Sequence, residues 1–137
     1  MRALRGLAVV AAAVVACTLA AAVTATGAGA QTVPSVLIGD WDGWGRQGTG
    51  SRWSIAVTVT PSGARIDYPS LNCGGVLELL TAEKMVARFH ERLTYGLEGC
   101  IDGGQVELRV TPEGGLSYRW WYLAGEDSAQ GALERRR

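Results

Sequence analysis

The chain has a single histidine, a single lysine and three cysteines in 137 residues, with no Cys-x-x-Cys pair anywhere. These scarcities remove much chemistry. One imidazole, His90, cannot build a His-Glu-x-x-His zinc helix, and with Cys73 and Cys100 it does not complete a four-ligand zinc site. No Gly-x-Ser-x-Gly occurs, so a serine nucleophile elbow is missing. Two distant cysteines do not make a dithiol catalyst. Asp40-Trp41-Asp42-Gly43 is only a fragment of a calcium loop, even with Asp102 added. No reaction is legible, and the chain is read as non-enzymatic, with neither cofactor nor metal. Excess positive charge is missing as well. With Arg2 and Arg5 set aside, eleven basic side chains stand against thirteen acidic ones, and three of the eleven are Arg135, Arg136 and Arg137. A basic face is therefore not indicated for the folded body, and nucleic acid is not an expected partner. The terminal arginines are read as a solvated tail.

What is present begins with an export leader. Met1-Arg2-Ala3-Leu4-Arg5 is a short basic start, Gly6 to Ala25 is uncharged, and Ala28-Gly29-Ala30 offers a small-x-small cleavage site. Cleavage after Ala30 assigns 1–30 to a signal peptide and leaves 31–137, with short disordered termini, as one domain. Two alternatives stay open. Val14-Val15-Ala16-Cys17 has the form of a lipobox, which would lipidate Cys17; an uncleaved segment would be a membrane anchor. All three place the remainder outside the cytoplasm, secreted in the first case and membrane-attached in the others.

Beyond residue 30 no long apolar run occurs, and up to eight short strands follow one another between turn signals. The first is expected over Val36–Trp44. In Arg52–Thr60, Trp53, Ile55, Val57 and Val59 alternate with polar or small residues, the period of a sheet with one wet face. Further strands are expected over Ala64–Tyr68, Val76–Thr81, Met85–Leu93, Gln105–Val110, Leu116–Tyr122 and Ala129–Glu134. The turn between the fourth and fifth is placed at Ala82-Glu83. A helix across Thr81–Arg92 is the local alternative, since its residues favour helices. Hairpin-length gaps forbid parallel crossovers. An antiparallel up-and-down barrel of about eight strands removes exposed edges, with a two-sheet sandwich as the alternative.

If the Val76–Thr81 and Met85–Leu93 strands form a hairpin, Cys73 and Cys100 both lie at its open end. One disulfide follows, contributing about 3 kcal/mol. Inside the barrel, alternation gathers Trp41, Trp53, Tyr68, Phe89, Tyr118, Trp120 and Tyr122. So many rings predict a mostly filled interior with at best a shallow pocket. Glu91 is the one polar residue that alternation drives inward, where it needs donors such as Tyr118, Tyr122 or an arginine reaching across, or else a proton. Met85 shares that face, while His90 faces out. Glu91, Tyr118, Tyr122 and Trp41 are the candidate ligand-binding residues. Trp121 faces opposite to Trp120 and, beside Leu123, forms a candidate surface contact.

Gly39-Asp40-Trp41-Asp42-Gly43 resembles the Gly-x-Trp opening of lipocalin-like barrels, in which the tryptophan packs across the base. The run Tyr68-Pro69-Ser70-Leu71-Asn72-Cys73-Gly74-Gly75, with Glu91-Arg92, Gly99-Cys100 and Leu116-Ser117-Tyr118-Arg119-Trp120, is similar to small exported domains of GC-rich bacteria. Some of those domains are extracellular modules attached to membrane serine/threonine kinases. The resemblance implies a binding or sensing module without assigned chemistry. Two functions are carried forward: a non-catalytic binder of a small molecule or cell-envelope component, and a protein-interaction module acting as an inhibitor or envelope accessory protein on another exported protein.

Overall fold

The computed structural model describes residues 30–137. Leader residues 1–29, which include Cys17 and all but the last residue of the cleavage site, lie outside those residues. A 3-10 turn at Ser35–Leu37 precedes β1 (Gly39–Arg46), β2 (Arg52–Thr60) and β3 (Gly63–Tyr68). A second 3-10 turn, Pro69–Leu71, leads to β4 (Cys73–Glu83). Then come β5 (Val86–Tyr95), β6 (Gln105–Val110), β7 (Leu116–Trp121) and β8 (Ser128–Arg135). Each strand pairs antiparallel with the next, and β8 returns to pair with β1, closing an eight-stranded up-and-down barrel. Neither the sandwich nor the Thr81–Arg92 helix is formed. Local helix preference there is outweighed by ladder bonds to both neighbouring strands and by burial of Ala87 and Phe89.

Several boundaries differ from the sequence pattern. β4 starts at Cys73 rather than Val76, because Gly74 and Gly75 join the ladder to β3, and β1 and β5 each run two residues past their expected ends. The β4–β5 turn falls at Lys84-Met85 because β4 carries a bulge: Leu79 pairs with Phe89 and Thr81 with Arg88, leaving Leu80 unpaired. The extra residue lengthens the hairpin, so Met85 sits exposed at its tip instead of on the inner face. Val36 is not in a strand either. Pro34 starts a turn that lays Leu37, fully buried, under the barrel, and β1 begins at Gly39.

The two ends of the barrel are unlike. At the end where β1 begins, Trp41 is buried and donates its indole N–H to the Leu37 carbonyl at 2.8 Å. The Arg135 guanidinium lies 4.2 Å above the Trp41 ring and donates to the carbonyls of Ile38 and Val36. Arg136 forks onto the Asp42 carboxylate. Two of the arginines read as a solvated tail are therefore tied to the barrel. Ile55, Val57, Ile66, Leu77, Phe89, Leu108, Leu116 and Leu133 fill the interior above Trp41, each contributing roughly 1.5–3 kcal/mol by burial. The opposite end carries the longer connections between β1 and β2, β3 and β4, and β5 and β6. There the filling stops short of the mouth.

Candidate functional site

At that mouth lies an open cavity of about 460 Å³, inside the size range of small-molecule sites. Its inner wall is made by Trp53 from β2, Tyr68 from β3, Glu91 from β5, and Tyr118 and Trp120 from β7. All five are inward by alternation. Gly45 makes room for one of them, since a Cβ there would stand 2.9 Å from the Trp53 indole nitrogen. The rim comes from the connections: Gln47 and Ser51 before β2, Leu71 before β4, and Glu98 to Ile101 after β5.

The rim is fastened at several points. Ser54 and Ser70 exchange backbone-to-hydroxyl bonds at 2.9 and 3.0 Å, which seats the Pro69–Leu71 turn on β2. Asp102 accepts from the amides of Leu93 and Gly103, holding the loop after β5 against its own strand. Cys73 and Cys100 form the expected disulfide across the same loop, with Cα atoms 6.5 Å apart. A stable disulfide indicates an extracytoplasmic location. Among the described residues no helix is long and apolar enough to cross a membrane.

Glu91 forms the floor. It is 1% exposed, accepts from the Tyr68 hydroxyl at 2.5 Å and accepts from the Trp120 indole N–H at 3.0 Å. The Tyr68 and Tyr118 hydroxyls are 2.8 Å apart. With Glu91 ionised, the one Tyr68 proton is committed to the carboxylate, so Tyr118 must donate to Tyr68. Burial pushes the Glu91 carboxyl above its usual range, and the bonds from Tyr68 and Trp120 offset part of that. Burial also raises both phenols well above theirs, helped at Tyr118 by the nearby Glu91 charge. No buried side-chain polar atom among the described residues lacks a partner. The expected network of Glu91 with Tyr118 therefore exists, but it runs through Tyr68.

The other candidates fall elsewhere. Tyr122 lies one residue past the end of β7, half-buried, stacked on Trp120 with ring centroids 6.5 Å apart, and it does not line the cavity. The inner row ends early because the strand does. Trp41 belongs to the closed end, away from the cavity wall. Trp121 faces outward and is half-buried in an outer cleft with Arg46, Arg52 and Arg119. Leu123 is 71% exposed in the turn after β7 and does not line that cleft. His90 is on the outer face opposite Glu78. Trp53, Tyr68 and Trp120 were legible as inward rings; their meeting with Glu91 around one cavity depends on closure of the barrel, which no local pattern encodes.

No family model, curated protein or solved structure matches this chain. The closed eight-stranded barrel with a buried tryptophan at its base is consistent with a lipocalin-like architecture.

Proposed function

We propose that the protein is an exported, non-catalytic binding module that holds a small molecule or cell-envelope component in the mouth of its barrel. The observation that carries this reading is the cavity itself. It is open to solvent, walled by four aromatic side chains and floored by a buried carboxylate, on a rim fixed by a disulfide. A barrel built only for stability would continue its apolar filling to the mouth. The disulfide supports an extracytoplasmic setting, and the leader pattern supports secretion after cleavage at Ala30, with lipidation at Cys17 as the alternative form.

A second reading, an interaction module for another exported protein, is favoured by Leu71, Leu97 and Ile101, which stand 40%, 51% and 42% exposed around the mouth. Tryptophan fluorescence separates the two, because Trp53 and Trp120 line the wall. A panel of envelope lipids, glycans and small metabolites should include a compound that changes emission. That change should weaken in Trp53→Phe and persist in Trp121→Ala. If Trp121→Ala abolishes binding while Glu91→Gln leaves it untouched, the mouth is not the site. Co-purification with one exported protein, without any small-molecule response, would favour the interaction reading.

A further inference from the structure

We infer that the mouth cavity takes an organic cation: a protonated amine or quaternary ammonium on an apolar body. The inference rests on the binding reading above and names the ligand class of that site.

The residues lining the cavity include two carboxylates, Glu91 and Glu98, and no arginine, lysine or histidine. That asymmetry is informative in a chain with twelve arginines. Glu107 provides an internal comparison. It too is buried, at 4% exposure, but on the outer wall, where Arg88 and Arg109 reach it at 2.8 and 3.4 Å. Glu91 is buried more deeply and has only neutral donors, the Tyr68 hydroxyl and the Trp120 N–H. No ion pair to it occurs among the described residues. A buried carboxylate without a counter-ion is costly, and a cationic ligand would supply what the fold withholds.

The wall is suited to receive that charge. Trp53, Tyr68, Tyr118 and Trp120 line the cavity, and aromatic rings attract ammonium groups through the negative end of their quadrupole. Glu91 lines the same cavity, 1% exposed and hydrogen-bonded to Tyr68 and Trp120, so its charge acts in a poorly screened setting beside these rings. Leu71 and Ile101 at the rim offer contact to an apolar tail. An anion would meet two carboxylates and no cationic side chain in the lining; Arg46, Arg52 and Arg119 belong to the adjoining outer cleft.

The test uses three probes of nearly equal shape on the purified protein: 2-phenylethylamine as cation, 2-phenylethanol as neutral isostere and 3-phenylpropanoate as anion. Affinities are read by calorimetry and tryptophan emission. The amine should bind about tenfold or more tighter than the alcohol, and the anion weakest of all. Glu91→Gln, with folding checked by thermal melting, should reduce the amine-to-alcohol ratio to about threefold or less; Glu98→Gln should reduce it less. The wild-type comparison alone decides the class if Glu91→Gln does not fold. Equal binding of amine and alcohol, or tighter binding of the anion, overturns the cation assignment and leaves the cavity reading standing. Failure of all three probes to bind overturns the cation assignment, and the cavity reading falls with it only if the envelope panel is silent too.

Discussion

The Tyr68 hydroxyl donates to Glu91 at 2.5 Å and lies 2.8 Å from the Tyr118 hydroxyl, so one phenol joins side chains from β3, β5 and β7 across the barrel. This short chain replaces apolar filling near the mouth. It holds the wall of the cavity in one arrangement, because each member has a partner only in that geometry. Trp120 is held by the same carboxylate from the other side. Gly104 guards its position: a Cβ there would collide with the Trp120 indole.

Tyr68→Phe should therefore destabilise the protein by about 1–3 kcal/mol, the usual cost of orphaning buried hydrogen-bonding partners. The ring volume is kept, so the loss would come from Glu91 and Tyr118 left short of a partner. Urea denaturation measures it. A variant as stable as the wild type would show that water replaces the hydroxyl and that the chain is not a structural tie.

Much of this fold was legible because β2, β6 and β7 alternate cleanly, and inward Glu91 stood out as the one violation of an apolar face. What alternation could not supply was the parity change at Leu80, which exposes Met85, or the early end of β7, which leaves Tyr122 half-buried at the edge of the core. Both depend on ladder bonds to a neighbour strand. The roles of Arg135 and Trp41 were hidden for a related reason: they are far apart in sequence and meet only when β8 closes against β1. Tyr68, the link of the network, read as one inward ring among seven.

Acid and base should act on the two buried carboxylates in opposite directions. Burial raises the Glu91 carboxyl above its ordinary value of 4.5, so its contribution to stability is complete below that value and is lost as pH rises through the raised, folded-state value. At Glu107 burial raises the carboxyl, but the Arg88 hydrogen bond with the Arg109 and Arg88 charges outweighs it and the net shift is downward. Its contribution is present above 4.5 and is lost as pH falls through the lowered value. Denaturation from about pH 3 to about pH 8 should show the wild-type advantage over Glu91→Gln shrinking as pH rises. The advantage over Glu107→Gln should shrink as pH falls. A flat difference for Glu91→Gln would mean that its carboxyl is not shifted by folding.

The disulfide closes a separation of 27 residues, and by the chain-entropy estimate its loss should cost about 3–4 kcal/mol. Cys73 is fully buried beside the core and Cys100 lines the cavity, so the rim should loosen before the closed end does. Reduction followed by alkylation should lower the melting temperature. Hydrogen exchange should rise first between residues 96 and 104. Uniform acceleration across all eight strands would show that the link stabilises the barrel globally and does not set the rim in particular.

Arg135 offers a way to separate the two ends of the molecule. Its guanidinium covers Trp41 at 4.2 Å and donates to Ile38 at 2.9 Å, fastening the last strand and the Ser35–Leu37 turn to the base. Arg135→Ala should cost about 1–2 kcal/mol from the lost ring contact and carbonyl bonds. Arg135→Lys should recover only part, because an ammonium cannot stack as a plane and fork to two carbonyls together. Neither change touches the mouth, so the affinity of any ligand that shifts Trp53 and Trp120 emission should stay within about twofold of wild type. A loss of affinity as large as the loss of stability would mean that base and mouth are coupled through the filled interior. The cavity would then have to be treated as a property of the whole barrel, with Trp41 restored to the list of residues that govern binding.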